Sequence, residues 1–410
     1  MTSVDQILQK AKSLAKQGKR EEAEDLLHKL LVKFPANERA KAILYAISKT
    51  QAQSVHPPQD QVNTLVALYT AGAYEDLINQ TEKLSQKFSR SCVLFNILGA
   101  AYTGRKRAED AIKAFSKALE IKPDFPDALN NLAYVLSDLK RYEEALAVYS
   151  EAIRVKPDYA DAHNNLGNTL YELKRYEEAK AAYNKALQLN PNHAPTLVNL
   201  GNVHNILKQY DGAINAYTEA IHLNPHYADA YNNLGVVLKN LKRYDHALAV
   251  YQKATQLKPH YAEAYNNLAN VFSELRRYEE AIEASKRAVE INPQFAEAFN
   301  NLGNLFKILK RYDEAIGSYR RALLINPSYA EPKAQALYLL AHLCDWKSLE
   351  DLSKDISSLG TSGESCFPFT LLSFEDSPEQ NLRRSELFAR EKHLHSQLPL
   401  IISPTERPSK

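Results

Sequence analysis

The sequence reads Ala128-Leu-Asn-Asn-Leu132, Ala162-His-Asn-Asn-Leu166, Ala230-Tyr-Asn-Asn-Leu234 and Ala264-Tyr-Asn-Asn-Leu268, and these words lie 34 residues, or a multiple of 34, apart. Seven prolines mark the same period, with six consecutive intervals of 34 and no insertion: Pro123, Pro157, Pro191, Pro225, Pro259, Pro293 and Pro327. A fixed period of about 20 to 50 residues is typical of stacked supersecondary units. Such arrays grow by adding units and do not split into separate domains. The sequence therefore predicts a solenoid.

Each unit carries the signature of two closely packed helices. In the units that begin at residues 92, 126, 160, 194, 228, 262 and 296, leucine occupies position 7, glycine or alanine position 8, and alanine positions 20 and 27. Small residues let helices approach to about 8–10 Å, while larger residues such as Leu132 and Tyr149 fill the space between them. Position 24 is aromatic in every unit except at Ser285. The proline at position 32 then ends the second helix.

The turn between the two helices places charges where helix dipoles favour them. It reads Lys140-Arg141-Tyr142-Glu143-Glu144, with cations after one helix and anions at the start of the next. The whole pattern resembles the tetratricopeptide repeat. This resemblance implies an all-α fold, a right-handed superhelical solenoid whose first helices line a concave groove. The usual turn glycine is replaced here by Lys140, Lys174, Lys208, Lys242, Arg276 and Lys310.

Divergent segments flank the regular array and predict its ends. Pro57-Pro58 predicts a break in the chain, because proline cannot continue a helix. Trp346 is expected to cover the apolar face of the last hairpin. The predicted order is a divergent N-terminal capping repeat (1–50), a linker (51–58), a divergent repeat (59–91), seven regular repeats (92–329), a C-terminal capping hairpin (330–358), and a linker with a charged helix (359–410).

Composition excludes several classes of function. A net charge of +2 and a pI near 8.2 are too balanced for a nucleic-acid-binding protein. No run of 18 apolar residues occurs, so no membrane partner is expected. Three widely spaced cysteines form neither a disulfide framework nor a metal motif, which favours a reducing compartment and a cytoplasmic location. No phosphate-binding loop or nucleophile signature is present, so no catalytic or metal-binding residue is predicted.

A row of asparagines is the candidate binding site. Position 6 holds Asn131, Asn165, Asn199, Asn233, Asn267 and Asn301, and position 9, one helical turn on, holds Asn168, Asn202, Asn270 and Asn304. A carboxamide can donate and accept hydrogen bonds, so each could hold one peptide unit of an extended ligand. First helices about 10 Å apart match about three extended residues each, which gives a segment of roughly 15 residues. The alternative is that the amides bond only within and between repeats.

The end of the chain carries a second resemblance. Leu343-Cys-Asp-Trp346, then Pro368-Phe-Thr-Leu-Leu372 and a charged helix near 377–396 look like the protein O-linked N-acetylglucosamine transferases and their SPINDLY-like relatives. In that family the repeats present protein substrates to a catalytic region that uses UDP-GlcNAc. No residue matches the family's sugar-nucleotide site, and the chain ends about where the first catalytic strand would begin. The chain alone is therefore expected to be inactive and to bind no cofactor.

Two hypotheses about function follow. In the first, the repeats recognise extended polypeptide substrates for an O-GlcNAc transferase-like glycosyltransferase. In the second, the chain is a free-standing tetratricopeptide adaptor that assembles protein complexes. Both predict a protein or peptide partner in the concave groove. Both also allow a homodimer formed through the repeats.

Overall fold

The computed structural model describes residues 4–16, 19–352 and 378–393, and the regular structure among them is entirely α-helical. Consecutive helices pair into hairpins, and in this part of the chain each helix packs mainly against the next helix or the next but one. The prediction of an all-α solenoid of helical hairpins is confirmed. By their contacts the residues fall into two compact units, divided between Leu207 and Lys208.

The first unit contains the divergent N-terminal hairpins and the first regular repeats. Its helices are α1 Val4–Lys16, α2 Arg20–Lys33, α3 Glu38–Val55, α4 Gln59–Thr70, α5 Tyr74–Lys87, α6 Cys92–Gly104, α7 Ala108–Ile121, α8 Pro126–Asp138, α9 Tyr142–Val155, α10 Ala160–Glu172, α11 Tyr176–Leu189 and α12 Ala194–Ile206.

The second unit contains the later repeats and the C-terminal helices. They are α13 Tyr210–Leu223, α14 Ala228–Asn240, α15 Tyr244–Leu257, α16 Ala262–Glu274, α17 Tyr278–Ile291, α18 Ala296–Ile308, α19 Tyr312–Ile325, α20 Ala330–His342, α21 Trp346–Leu352 and α22 Pro378–His393.

Small residues lie where the helices of a repeat come closest. Ala145 and Ala152 of α9 are completely buried, as the packing signature predicts. In α18, a Cβ atom added to Gly303 would lie 2.5 Å from the ring of Tyr319 on α19. Position 8 is therefore small because the aromatic ring at position 24 of the same repeat occupies the space beside it.

The turn inside each repeat adopts a left-handed conformation without glycine. Lys140 has φ of +61°, and its N–H donates to the carbonyl of Ser137 at 2.9 Å. The next N–H, of Arg141, donates to the carbonyl of Leu136 at 2.9 Å, which completes a Schellman motif. Gly72, with φ of +71°, holds the equivalent position in the divergent hairpin α4–α5. The cationic turn residues thus accept a conformation that costs an L-residue about 1–2 kcal/mol.

Two local expectations differ from the structure. The predicted break begins at residue 51, but α3 continues to Val55, because 51–55 contain neither proline nor glycine and only Pro57 stops the helix. The expectation that Trp346 covers the last apolar face is wrong, since Trp346 is 63% exposed. It is the first residue of a seven-residue helix, and Leu349 and Leu352 pack on that face instead. Residues 353–358 of the predicted capping hairpin lie outside the described residues.

Candidate functional site

The predicted asparagines lie on the first helices of the repeats. All the position-6 residues, on α8, α10, α12, α14, α16 and α18, are partly buried, so each carboxamide reaches the surface without being fully exposed. At position 9, Asn168 is exposed, and Asn202, Asn270 and Asn304 are partly buried. One part of the row lies on α8–α12 in the first unit, and the other lies on α14–α18 in the second unit.

Position-6 asparagines bond to the preceding repeat. The acceptor is the Oδ1 atom of the position-5 asparagine 35 residues earlier, and the donor is the position-6 Nδ2 atom. The pairs are Asn131 to Asn96 at 3.1 Å, Asn165 to Asn130 at 3.1 Å, Asn267 to Asn232 at 3.1 Å, and Asn301 to Asn266 at 2.9 Å. Hydrogen bonds between the amides of successive repeats are therefore present, and we call this series of bonds the inter-repeat ladder.

Asn199 departs from this pattern. Its counterpart acceptor, Asn164 Oδ1, accepts a hydrogen bond from Thr196 Oγ1 at 2.8 Å. Asn199 Nδ2 donates instead to Asn168 Oδ1 at 3.0 Å. In the second unit, Asn233 Oδ1 accepts from Asn232 Nδ2 at 3.3 Å.

The ladder leaves hydrogen-bonding capacity in the four position-6 amides that form it, those of Asn131, Asn165, Asn267 and Asn301. A carboxamide has two N–H donors and two acceptor sites, and the ladder uses one donor. The oxygens of Asn131 and Asn165 accept only long bonds from their own neighbours, at 3.5 Å and 3.3 Å. The ladder thus fixes the direction of these four amides, while a second N–H group of each, and much of the oxygen of Asn131 and Asn165, remain available to a ligand.

The buried position-5 asparagines are residues whose function sequence reasoning missed. Asn130, Asn232 and Asn266 are at most 7% exposed, and because a helix turns about 100° per residue they do not share the direction of the position-6 asparagines. Their side chains nevertheless reach the next repeat. The signal in the sequence was the pairing of position 5 with position 6 at a spacing of 35 residues.

Tyrosines at position 24 orient the position-9 amides. Tyr183 donates to Asn168 Oδ1 at 2.8 Å, and Tyr319 donates to Asn304 Oδ1 at 2.7 Å. Burial raises the pKa of both tyrosines far above the usual range, so the hydroxyls stay protonated and serve as donors. With the oxygen engaged, the NH₂ groups of Asn168 and Asn304 have no partner among the described residues.

Asn270 differs from the other position-9 asparagines because its repeat carries Ser285 in place of tyrosine. Within residues 4–16, 19–352 and 378–393, the Asn270 side chain makes no hydrogen bond. Its carboxamide is therefore free to bind a ligand through both its donor and its acceptor atoms.

One cavity includes two of the predicted asparagines. It has a volume of about 270 Å³ and lies against α8, α9 and α10. Its lining combines amides, tyrosines and charged groups: Asn165, Asn168, Tyr134, Tyr142, Tyr149, Ser137, Asp138, Lys140 and Glu172.

A larger cavity of about 560 Å³ lies against α15, α16 and α17 and includes none of the predicted asparagines. Its charged lining residues are largely paired: Arg287 contacts Glu290 at 3.0 Å, and Glu280 contacts Arg277. Because these ion pairs neutralise the charges of their members, the cavity attracts a charged ligand less strongly.

The basic turn residues do not form a basic ridge. Arg141 Nε and Nη2 each lie 2.7 Å from an oxygen of Glu144, and the same bidentate pair recurs at Arg175 and Glu178. The hydrogen bonds from Arg141 lower the pKa of the Glu144 carboxyl, which keeps it ionised. The arginines of these turns are therefore neutralised by the glutamates that follow them.

Comparison with known proteins agrees with the repeat architecture. Profiles of the tetratricopeptide repeat match residues 7–37, 160–193, 182–215, 226–294 and 296–329, and a profile described as a TPR repeat matches 99–140, 135–174 and 201–242. A comparison with curated proteins finds no match.

Solved structures that resemble this chain cover only part of it. The crystal structure of YrrB, described as a TPR protein with an unusual peptide-binding site, is 29% identical over 46% of this chain and 96% of its own, with a TM-score of 0.40. The crystal structure of MamA is 27% identical over 40% of this chain and 96% of its own, with a TM-score of 0.38.

The fold and the repeated site together define a helical-hairpin repeat protein. The chain belongs to the tetratricopeptide-repeat family. No helix among the described residues is both long and apolar enough to cross a bilayer. The same residues contain no group of three or more histidine, cysteine or acidic side chains that could hold a metal ion.

Proposed function

We propose that this protein binds an extended polypeptide segment along the asparagines at positions 6 and 9 of its first helices. The observation that carries the proposal is the series of carboxamides that reach the surface, most of which are held in direction by an inter-repeat or tyrosine hydrogen bond. Fixed amides lose little conformational freedom on binding, so their hydrogen bonds to a ligand are less costly to form.

The ligand class follows from the chemistry of the row. Amides complement the N–H and C=O groups of a peptide backbone, which recur in every residue whatever its side chain. An extended backbone presents these groups at the regular spacing that a repeating row requires. The near-neutral charge of the chain offers no comparable attraction to nucleic acid.

Replacement of Asn270 by alanine is the sharpest single test, because this side chain has no hydrogen-bonding partner within the described part of the chain. We expect the affinity for a peptide of about 15 residues, selected from a random displayed library on the wild-type protein, to fall about fivefold as one hydrogen bond is lost. Fluorescence polarisation measures the affinity. Thermal unfolding should not change beyond a small helix-propensity gain.

Asn215 provides the matched control. It is an exposed asparagine on the second helix α13, outside the row, and its replacement by alanine should leave the affinity unchanged. Equal affinity of the Asn270→Ala variant and the wild-type protein would contradict a role for position 9.

We further propose that the bound polypeptides are substrates of an O-GlcNAc transferase-like glycosyltransferase. The support is the sequence resemblance around Leu343-Cys-Asp-Trp346, which lies at the turn between α20 and α21, together with the charged helix α22. Pro368-Phe-Thr-Leu-Leu372 lies outside the described residues. UDP-GlcNAc would be the donor used by a catalytic region distinct from these repeats.

The glycosyltransferase proposal predicts a chemical mark on the partners. Proteins cross-linked to this chain in cells should carry O-linked N-acetylhexosamine on serine or threonine, which mass spectrometry of the cross-linked peptides detects. Partners that bind the row but never carry the sugar would favour the free-standing adaptor. Binding and glycosylation are thus tested separately.

A further inference from the structure

The cavity against α8, α9 and α10 has aromatic walls. Tyr134 of α8 is 51% exposed, whereas Tyr149 of α9, which also lines the cavity, is only 1% exposed. Tyr142, at the start of α9, is partly buried and completes the lining. At about 270 Å³ the cavity is smaller than the roughly 300–1,000 Å³ of typical small-molecule sites. Its size suits one long side chain.

The charges at this cavity are unbalanced. Asp138 of α8 and Glu172 of α10 both line it and are exposed, and neither forms an ion pair with any residue that the structure describes. Lys140 is the only cation in the lining. One negative charge therefore remains, in contrast to the turn carboxylates, which pair with arginine as Glu144 does with Arg141.

The equivalent place three repeats later lacks these features. There Glu274, the counterpart of Glu172, accepts a hydrogen bond from Tyr244 at 3.3 Å. Asn240 replaces the second carboxylate, and Val236 replaces the exposed tyrosine. The combination of two unpaired carboxylates with three tyrosines therefore does not follow from the repeat itself.

We propose that this cavity receives the side chain of one lysine or arginine of the polypeptide bound along the asparagine row, an inference that rests on the proposed function. A cation placed over a tyrosine face is attracted by the ring, and two carboxylates add to that attraction. Asn165 and Asn168 line the same cavity and would hold the backbone of the residue that inserts its side chain. The cavity would thus make the protein selective for lysine or arginine at one residue of the bound polypeptide.

Peptide selection on the full chain tests the inference. Random peptides of about 15 residues, displayed on phage and selected on the wild-type protein, should be enriched in lysine or arginine at one position. Replacement of both carboxylates by their amides, in Asp138→Asn with Glu172→Gln, should lower that preference about fivefold to tenfold. Glu274→Gln, in the equivalent repeat, should leave it unchanged.

The outcomes separate this inference from the proposed function. Peptides that bind the wild-type protein without a preference for a cation, or an unchanged preference in the double variant, would overturn the inference and leave backbone binding intact. Failure to select any peptide would overturn the proposed function as well. Tyr134→Ala, at an exposed residue, gives a second measure and should weaken the same preference without unfolding the repeat.

Discussion

Replacement of Asn199, Asn233 and Asn267 together by alanine is expected to weaken binding of the selected peptide by on the order of a hundredfold. Each side chain would lose a hydrogen bond to the ligand worth about 1 kcal/mol, and every 1.4 kcal/mol is tenfold in affinity. The variant keeps the charge of the repeats and slightly raises their helix propensity, because alanine is a better helix former than asparagine. Isothermal titration with the wild-type and variant proteins measures the difference.

The triple variant also breaks inter-repeat bonds, among them that of Asn267 to Asn232, so a control must break bonds of this kind without removing the row. Replacement of Asn130, Asn232 and Asn266 by alanine does this, because these buried residues accept the bonds from Asn165, Asn267 and Asn301. The control should lose stability but retain most of its affinity. If both triple variants lose affinity equally, the position-6 asparagines act through the structure of the repeats and not through contact with the ligand.

Substitution of alanine for glycine should have opposite effects on the two helices of one repeat. At Gly303 the added methyl group would lie 2.5 Å from the Tyr319 ring, and the free energy of unfolding should fall by about 1–3 kcal/mol. At Gly317, on α19, nothing lies within 4 Å, and the same change should raise it by about 0.5–1 kcal/mol. Denaturant unfolding of both variants measures the decrease and the increase in the free energy of unfolding.

The expected loss at Gly303 has a specific structural origin. In the repeat of α8 and α9, Ala133 does lie beside a position-24 tyrosine, but position 9 there is Tyr134 and not asparagine. Accommodating a methyl group at Gly303 would displace the Tyr319 ring and with it the 2.7 Å bond to Asn304. An unchanged stability of Gly303→Ala would show that the ring moves without losing that bond.

Much of the fold could be predicted because the determinants are local and repeated. The 34-residue period and the small residues at positions 8, 20 and 27 predicted each helical hairpin, and Ala145 and Ala152 are buried accordingly. The substitution of cationic residues for the turn glycine was visible in the sequence. That they adopt positive φ, as Lys140 does, became clear only from the backbone.

The rest depended on contacts between residues that no local pattern connects. Whether Asn165 bonds a ligand or Asn130 depends on the distance between successive repeats, which the sequence of one helix does not contain. The exposure of Trp346 depends on how a short terminal helix meets α20. The cavity at Asp138 and Glu172 likewise required the placement of two neighbouring repeats.

Packing between sequence neighbours also affects how such a chain can change during evolution. Because each helix in the described repeats packs mainly against the next or the next but one, gain or loss of a whole 34-residue unit recreates interfaces of the same kind. Recombination between similar repeats would then lengthen or shorten the array without a new core. Where the unit carries asparagine at position 6, each such step would change the length of the proposed ligand segment by about three residues. The length of the recognised segment could thus be inherited in discrete increments.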